Sequence, residues 1–233
     1  MWIMIGIIAL LLTVFLTIII ASALVTEKEN QIANCERGMN WSERKVAVSL
    51  AKALSDYPNK LIINNLILPG LYDSKHTTQI DTLVICSKGI FVIETKSWNG
   101  VIYGDADQKE WVIHYDSGQS RQVYNPTWQN DGHVNRVEGL IQKETDLDIA
   151  NINIISMVIF ANGDLSYVNA PDCYSIYDAV SHIPNYPDCL DDQTVNQLKE
   201  LFLFYKTHAS STNEEHTKYV QQIQEGNNND FYL

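Results

Sequence analysis

Basic side chains are scarce in this sequence: 16 Lys and Arg stand against 28 Asp and Glu, a formal net charge of −12 over 233 residues. A chain so short of positive charge lacks the broad basic surface used for tight, non-specific phosphate binding, which leaves room only for a local site. The deficit is uneven. Residues 26–150 hold 13 basic and 17 acidic residues, whereas residues 151–233 hold 3 and 11. Cysteine is sparse too, and Cys35, Cys86, Cys173 and Cys189 include no C-x-x-C pair and no close His partner. Neither a zinc site nor a dense disulfide framework is indicated, and the thiols read as buried or idle in a reducing compartment. No internal repeat is evident, and 45% hydrophobic content rules out disorder as the whole account.

Charge is missing altogether from the first 25 residues, which contain no Asp, Glu, Lys, Arg, His or Pro. Met1 to Val25 as a helix would be ~37 Å long, enough to cross a ~30 Å hydrocarbon core with some tilt. Ala21-Ser22-Ala23 has the small-x-small form of a signal cleavage site. Against cleavage, no basic residue precedes the run, and the run is longer than a signal core of roughly 7–15 residues. The expectation is an uncleaved single-pass anchor. Lys28, Arg37, Arg44 and Lys45 all follow the span and none precedes it, which predicts a cytoplasmic soluble domain.

What is present beyond the span divides into a linker over 26–37, a folded domain over 38–206 and a polar, disordered tail over 207–233. Asn40-Trp41-Ser42-Glu43 resembles a helix cap followed three residues later by Glu, with Val46, Leu50, Ala53 and Leu54 on one face of a helix to about Ser55. Leu61 to Leu68 is a strand closed by Pro69-Gly70. Gln79 to Cys86 and Ile90 to Lys96, joined by Ser87-Lys88-Gly89, form an antiparallel pair, and Val101 to Tyr103 and Trp111 to Tyr115 are further short strands. Asn125-Pro126 opens a helix with Val134, Val137, Leu140 and Ile141 as its apolar stripe. Ile152 to Phe160 reads as a central strand, and Asp191 or Asp192 caps a last helix to about Lys206. The sum is a mixed α/β domain.

Alternation along a strand puts Glu94 and Lys96 on one face, and the hairpin turn brings Asp81 opposite them. Two carboxylates ~4 Å apart repel by ~4 kcal/mol at an effective dielectric near 20, so such a pair needs a proton or a shared cation. Mg²⁺ suits it, since that ion takes one or two protein carboxylates and fills its other positions with water and phosphate oxygens. Each residue alone has an ordinary explanation as well. Glu94 and Lys96 can be an exposed ion pair, Asp81 a strand-end acid, Glu43 a helix cap and Gln129 a solvated amide. Trp98, Trp111 and Trp128 read as packing residues rather than base-stacking platforms.

The order of the motifs adds to this. Gln79 to Asp105, QIDTLVICSKGIFVIETKSWNGVIYGD, preceded by Ser42-Glu43 in a helix and followed by Trp111 and Asn125-Pro126-Thr127-Trp128-Gln129, resembles the nuclease-related domain family, NERD, over residues 38–145. That family is similar to a branch of the PD-(D/E)xK restriction-endonuclease-like superfamily. The resemblance implies an α/β fold with an αβββαβ core and a mixed sheet, and a Mg²⁺-dependent phosphodiesterase site that Mn²⁺ can also serve. It implies Asp81 and Glu94 as metal ligands, Lys96 as the catalytic residue that orients water or stabilises charge, Glu43 as an additional acid and Gln129 as a supporting polar group. Ser42 stands where the family usually has Gly, and Thr82 where His is frequent. The expected function is a membrane-anchored, metal-dependent nuclease, with DNA the first substrate and RNA the second, bound with modest affinity. The alternative is a catalytically inactive binding or scaffold module of the same fold.

Overall fold

A computed structural model describes residues 39–72 and 76–208. The expected anchor over 1–25, the linker over 26–37 and the tail from 209 lie outside these residues. Among the described residues no helix is long and apolar enough to cross a membrane.

Helix α1, Trp41–Ala53, starts where the sequence says it should. Asn40 accepts from the backbone N–H groups of Ser42 and Glu43, and Glu43 Oε2 accepts from Asn40 N, a reciprocal capping box. Strands β1 (Leu61–Leu68), β2 (Thr78–Cys86) and β3 (Gly89–Lys96) follow as an antiparallel meander. Three short strands come next, β4 (Val101–Asp105), β5 (Glu110–His114) and β6 (Ser120–Tyr124), then helix α2 (Pro126–Glu144) and strand β7 (Ile154–Phe160). Strands β8 (Asp164–Asn169) and β9 (Cys173–Ser175), a short helix α3 (Ile176–His182) and helix α4 (Asp192–Thr207) complete the domain. The helix, three-strand, helix, strand order expected from sequence is present, with β4 to β6 inserted ahead of α2. Helix α4 runs through Thr207, which the sequence reading placed in the tail. Ile152 ends a 3₁₀ turn over Ile149–Asn151 rather than beginning β7, because its N–H is spent on the Ile149 carbonyl at 3.0 Å.

Two mixed sheets result, ordered β1-β2-β3-β7-β9 and β6-β5-β4-β8. In the first, β3 is antiparallel to β2 and parallel to β7, so β3 is the middle strand and β7 lies one place toward the edge. One face of this sheet packs Leu66, Leu83 and Val92 against Val137 and Leu140 of α2 and Leu198 and Phe202 of α4. The other packs Val84, Phe91 and Ile93 against Val46 and Leu50 of α1 and Ala179 of α3. Helices on both sides leave the middle strands nowhere to expose a side chain, which is why β3 reads as an almost unbroken apolar run. Its polar end, Glu94-Thr95-Lys96, is the exception, and Glu94 and Thr95 are buried.

Strand alternation changes phase once, in the same place on two strands. On β1, Leu61 and Ile63 face the α2 side and so do Leu66 and Leu68; on β2, Leu83 and Ile85 face it and so does Ile80. Each strand therefore carries one extra residue, Asn65 and Asp81, opposite one another. The pairing stays in step on either side, with Asn64 against Thr82 and Leu66 against Ile80. Asn65 takes φ 49°, a left-handed backbone that Asn tolerates better than most residues.

The smaller sheet is pinned to the larger by Trp111, fully buried and stacked on Phe160 of β7 at 6.5 Å between ring centroids. Its ring lies flat on β4 only because residue 104 is Gly: a Cβ there would sit 2.2 Å from the indole. Asn125 caps α2 and donates from Nδ2 to the carbonyls of Ala106 and Gln108, so the β4–β5 turn fixes where α2 begins.

Candidate functional site

Pairing between β2 and β3 runs from Cys86 against Gly89 to Thr82 against Ile93 and then stops. Asp81 is the next residue on β2 and Glu94 its opposite number on β3. Where the strands part, the Asp81 carboxylate takes the free donor of the neighbouring strand: Thr95 N donates to Asp81 Oδ2 at 2.8 Å. Strand β3 meanwhile stays paired with β7 as far as Lys96. The site thus sits in a fork of the sheet, roofed by the first turns of α2.

Glu94 is 4% exposed, an unusual burial for a carboxylate unless it is paired. Lys96 Nζ donates to Glu94 Oε1 at 2.6 Å and to Gln129 Oε1 at 2.8 Å, and lies 5.6 Å from the centroid of the Trp98 ring. On the other side, His133 Nε2 lies 3.4 Å from Glu94 Oε2, while His133 Nδ1 and Thr78 Oγ1 share a hydrogen bond of 2.8 Å. The structure thus brings together Asp81, Glu94, Lys96 and Gln129 from the sequence-derived set. Glu43 is not in contact with them. Its carboxylate closes the capping box with Asn40, because the third helical position points back at the cap, and it reaches the site only through its charge.

Electrostatics separates the two acids. Burial, then the charge of Glu94, pushes Asp81 up to about 7, against the pull of the Thr95 N–H. Burial works against the ionised form of Glu94 as well, but His133 and Lys96 outweigh it and hold Glu94 below the usual carboxylate range. One acid is therefore ready to carry a proton near neutral pH while its neighbour stays charged.

The donor set fits a hard divalent cation. Two carboxylates on adjacent strands offer oxygen ligands, and the burial and Glu94 charge that push Asp81 up mark the electrostatic need that a cation would meet. Among the described residues no three His, Cys, Asp or Glu side chains converge to hold a metal by themselves.

Sequence reasoning missed His133 and Thr78. The signal was available in part: His133 follows Gln129 by four residues and precedes Val137 by four, so all three share a stripe of α2. Asn130 was missed as well. It is fully buried and donates to the carbonyl of Val92 at 2.9 Å and to Ser156 Oγ at 2.9 Å, tying α2 to β3 and β7 beside the site. Of the tryptophans, Trp111 packs as expected and Trp98 packs edge-on against Phe160 at 5.7 Å. Trp128 is 39% exposed, with its indole N–H on the Ala106 carbonyl at 2.8 Å. Cys86, Cys173 and Cys189 are free, and burial pushes the Cys173 thiol up to about 12.

A stretch of 126 residues is 32% identical to part of an uncharacterized protein of Bacillus anthracis, covering 52% of this chain and 53% of that relative. The chain thus spans about half the length of the relative it matches. No solved structure matches. The sequence profile of the nuclease-related domain matches residues 39–161, which takes in α1 to β7 and all four residues of the cluster. With more than half of its length under that match, the chain belongs to the nuclease-related domain family.

Proposed function

We propose that this domain is a divalent-metal-dependent phosphodiesterase acting on nucleic acid, DNA before RNA, with a site related to that of the PD-(D/E)xK restriction endonucleases. The carrying observation is the fork between β2 and β3, where a buried and a half-buried carboxylate lie beside a lysine that Gln129 aims. Asp81 and Glu94 would hold Mg²⁺, or Mn²⁺ in its place. A bound divalent ion supplies a more acidic water and neutralises charge on phosphate oxygens. Lys96, anchored between Glu94 and Gln129, orients the attacking water and stabilises the charge growing on the phosphoryl oxygens. Gln129 accepts one ammonium N–H, so the remaining donor stays directed at the substrate. His133 and Thr78 hold the Glu94 carboxylate in place from behind.

With few basic residues to grip the backbone, affinity is modest and falls as salt rises. Plasmid DNA, single-stranded DNA and RNA incubated at low ionic strength with Mg²⁺ or Mn²⁺ should be cut, and EDTA should stop the cutting. Intact substrates under all these conditions would leave the acidic chain as a binding module of the same fold, the reading that the charge deficit favours.

The proposal extends to location: Met1 to Val25 anchors the protein and the domain faces the cytoplasm. Protease added to intact cells should spare the domain. Its rapid digestion, or a mature N-terminus near Leu24, would overturn that topology.

A further inference from the structure

The paired bulge at Asn65 and Asp81 has a fastening that lies outside the nuclease-related match. Lys206, in the last turn of α4, donates from Nζ to the carbonyl oxygens of both Asn64 and Asn65, at 2.8 and 3.0 Å. These are the carbonyls on either side of the left-handed residue. Gln79 Nε2 adds a bond to Asn65 Oδ1 at 3.2 Å, and the buried Thr82 hydroxyl one to Asn64 Oδ1 at 2.9 Å. A lysine in the last turn of a helix has an ordinary use, which is to offset the partial negative charge of the helix end. Two short bonds to a strand more than 140 residues earlier do something else.

The position of Asp81 depends on that bulge. Alternation from Ile85 and Leu83 sets Asp81 on the Glu94 side, and the bulge is what leaves it there outside the ladder: in an unbroken β1–β2 ladder Asn65 and Asp81 would pair and fix the Asp81 backbone against β1. With it, Asp81 is released from β1 on one side and from β3 on the other, and its carboxylate is free to meet Thr95 N. Left-handed backbone in a non-glycine residue persists only where its surroundings hold it, and Lys206 is the charged group doing so from the next layer.

We propose that Lys206 is a positioning residue for Asp81, acting through the bulge at Asn65, so that helix α4 completes a site whose own residues all lie in the family-matched segment. It rests on the metal-site reading only for its effect on metal affinity. The mechanical coupling is independent of that reading.

The test uses the full-length protein in detergent, labelled with ¹⁵N-threonine, and follows amide hydrogen exchange at Thr95 and Thr82. Lys206→Met should speed exchange at Thr95 at least tenfold while Thr82, inside the paired hairpin, changes by less than twofold. Lys206→Arg should restore part of the protection. Asn65→Gly in the Lys206→Met background should restore most of it, since Gly takes positive φ without outside support. Mn²⁺ affinity, read by calorimetry, should fall about tenfold in Lys206→Met and recover with Asn65→Gly, the usual scale for a residue that orients a metal ligand. Equal acceleration at Thr95 and Thr82 would reduce Lys206 to a general structural role and overturn the proposal. So would unchanged exchange at Thr95, or failure of Asn65→Gly to rescue it. Because exchange is read without metal or substrate, a wild-type protein that binds no Mn²⁺ would sink the metal reading while leaving this one decided.

Discussion

Replacing Lys96 by Ala should lower phosphodiester turnover by roughly 10²–10³-fold, the usual cost of removing one donor to developing charge, while leaving Mn²⁺ binding intact. Glu94→Ala should lose both. The reasons differ by atom. Lys96 Nζ is a cation and no ligand, whereas the Glu94 carboxylate is one of two that would hold the ion. Removal of Lys96 also leaves Glu94 buried without its ammonium partner, a costly state that a divalent ion relieves. Metal should therefore raise the thermal midpoint of Lys96→Ala by more than it raises wild type. Single-turnover cleavage and calorimetry on the same preparations check this. General misfolding would damage both variants alike, so a Lys96→Ala protein that loses metal together with turnover, or that cleaves as fast as wild type, removes the assigned role.

Asp81→Asn should stabilise the metal-free protein at pH 8 while abolishing the metal response. Since Asp81 is pushed up to about 7, the folded chain keeps this proton between about pH 4 and 7, where the unfolded chain has already lost it. The folded state binds more protons than the unfolded one across that window, so stability falls as pH rises through it. Above pH 7 the full cost is on the order of 2–4 kcal/mol. Asparagine carries no such charge and can still accept from Thr95 N. Its advantage should be largest at pH 8 and absent near pH 4 in thermal denaturation of the metal-free proteins. Metal must displace the same proton, so wild-type Mn²⁺ affinity should climb about tenfold per pH unit below 7 and level off above it. An Asp81→Asn protein less stable than wild type at pH 8, or Mn²⁺ binding at pH 6 that releases no proton, would show that Asp81 ionises in the metal-free fold without the expected cost.

Much of this site was legible because its parts lie in strong local patterns. The hairpin turn at 87–89 fixes which residues of β2 and β3 meet, and two-residue alternation then puts Glu94 and Lys96 on one face. Asn125-Pro126 starts α2 at its cap, which places Gln129 on the first turn. Harder to see were the features set by other layers. Ser120 to Tyr124, reading SRQVY, is an exposed edge strand with one buried side chain, so no alternation announces it. Asp164 to Asn169 likewise buries little. The phase change at Asn65 and Asp81 is invisible in a run such as Ile80-Asp81-Thr82-Leu83, because every neighbour is acceptable on either face. His133 looked like one polar residue of an amphipathic helix until β3 put Glu94 beneath it. Lys206 carries no signal at all, since a lysine near a helix C-terminus is what dipole and solubility alone would select.

The parallel pairing of β3 with β7 has a bearing on the order in which the domain forms. Asp81, Glu94 and Lys96 lie on a hairpin whose contacts are local, and such contacts form in microseconds. Gln129 and His133 arrive only when the chain from residue 97 to 153, with β4, β5 and β6 inside it, closes so that Ile90 can meet Ile154. Closure of a long crossover is the slow, entropy-limited step in folding of this kind. During synthesis, the acidic hairpin is therefore complete before its polar roof exists, and an open β3 edge faces solvent until β7 leaves the ribosome. The interval in which this chain is most open to wrong strand pairing coincides with the interval in which its carboxylates have no partners on α2.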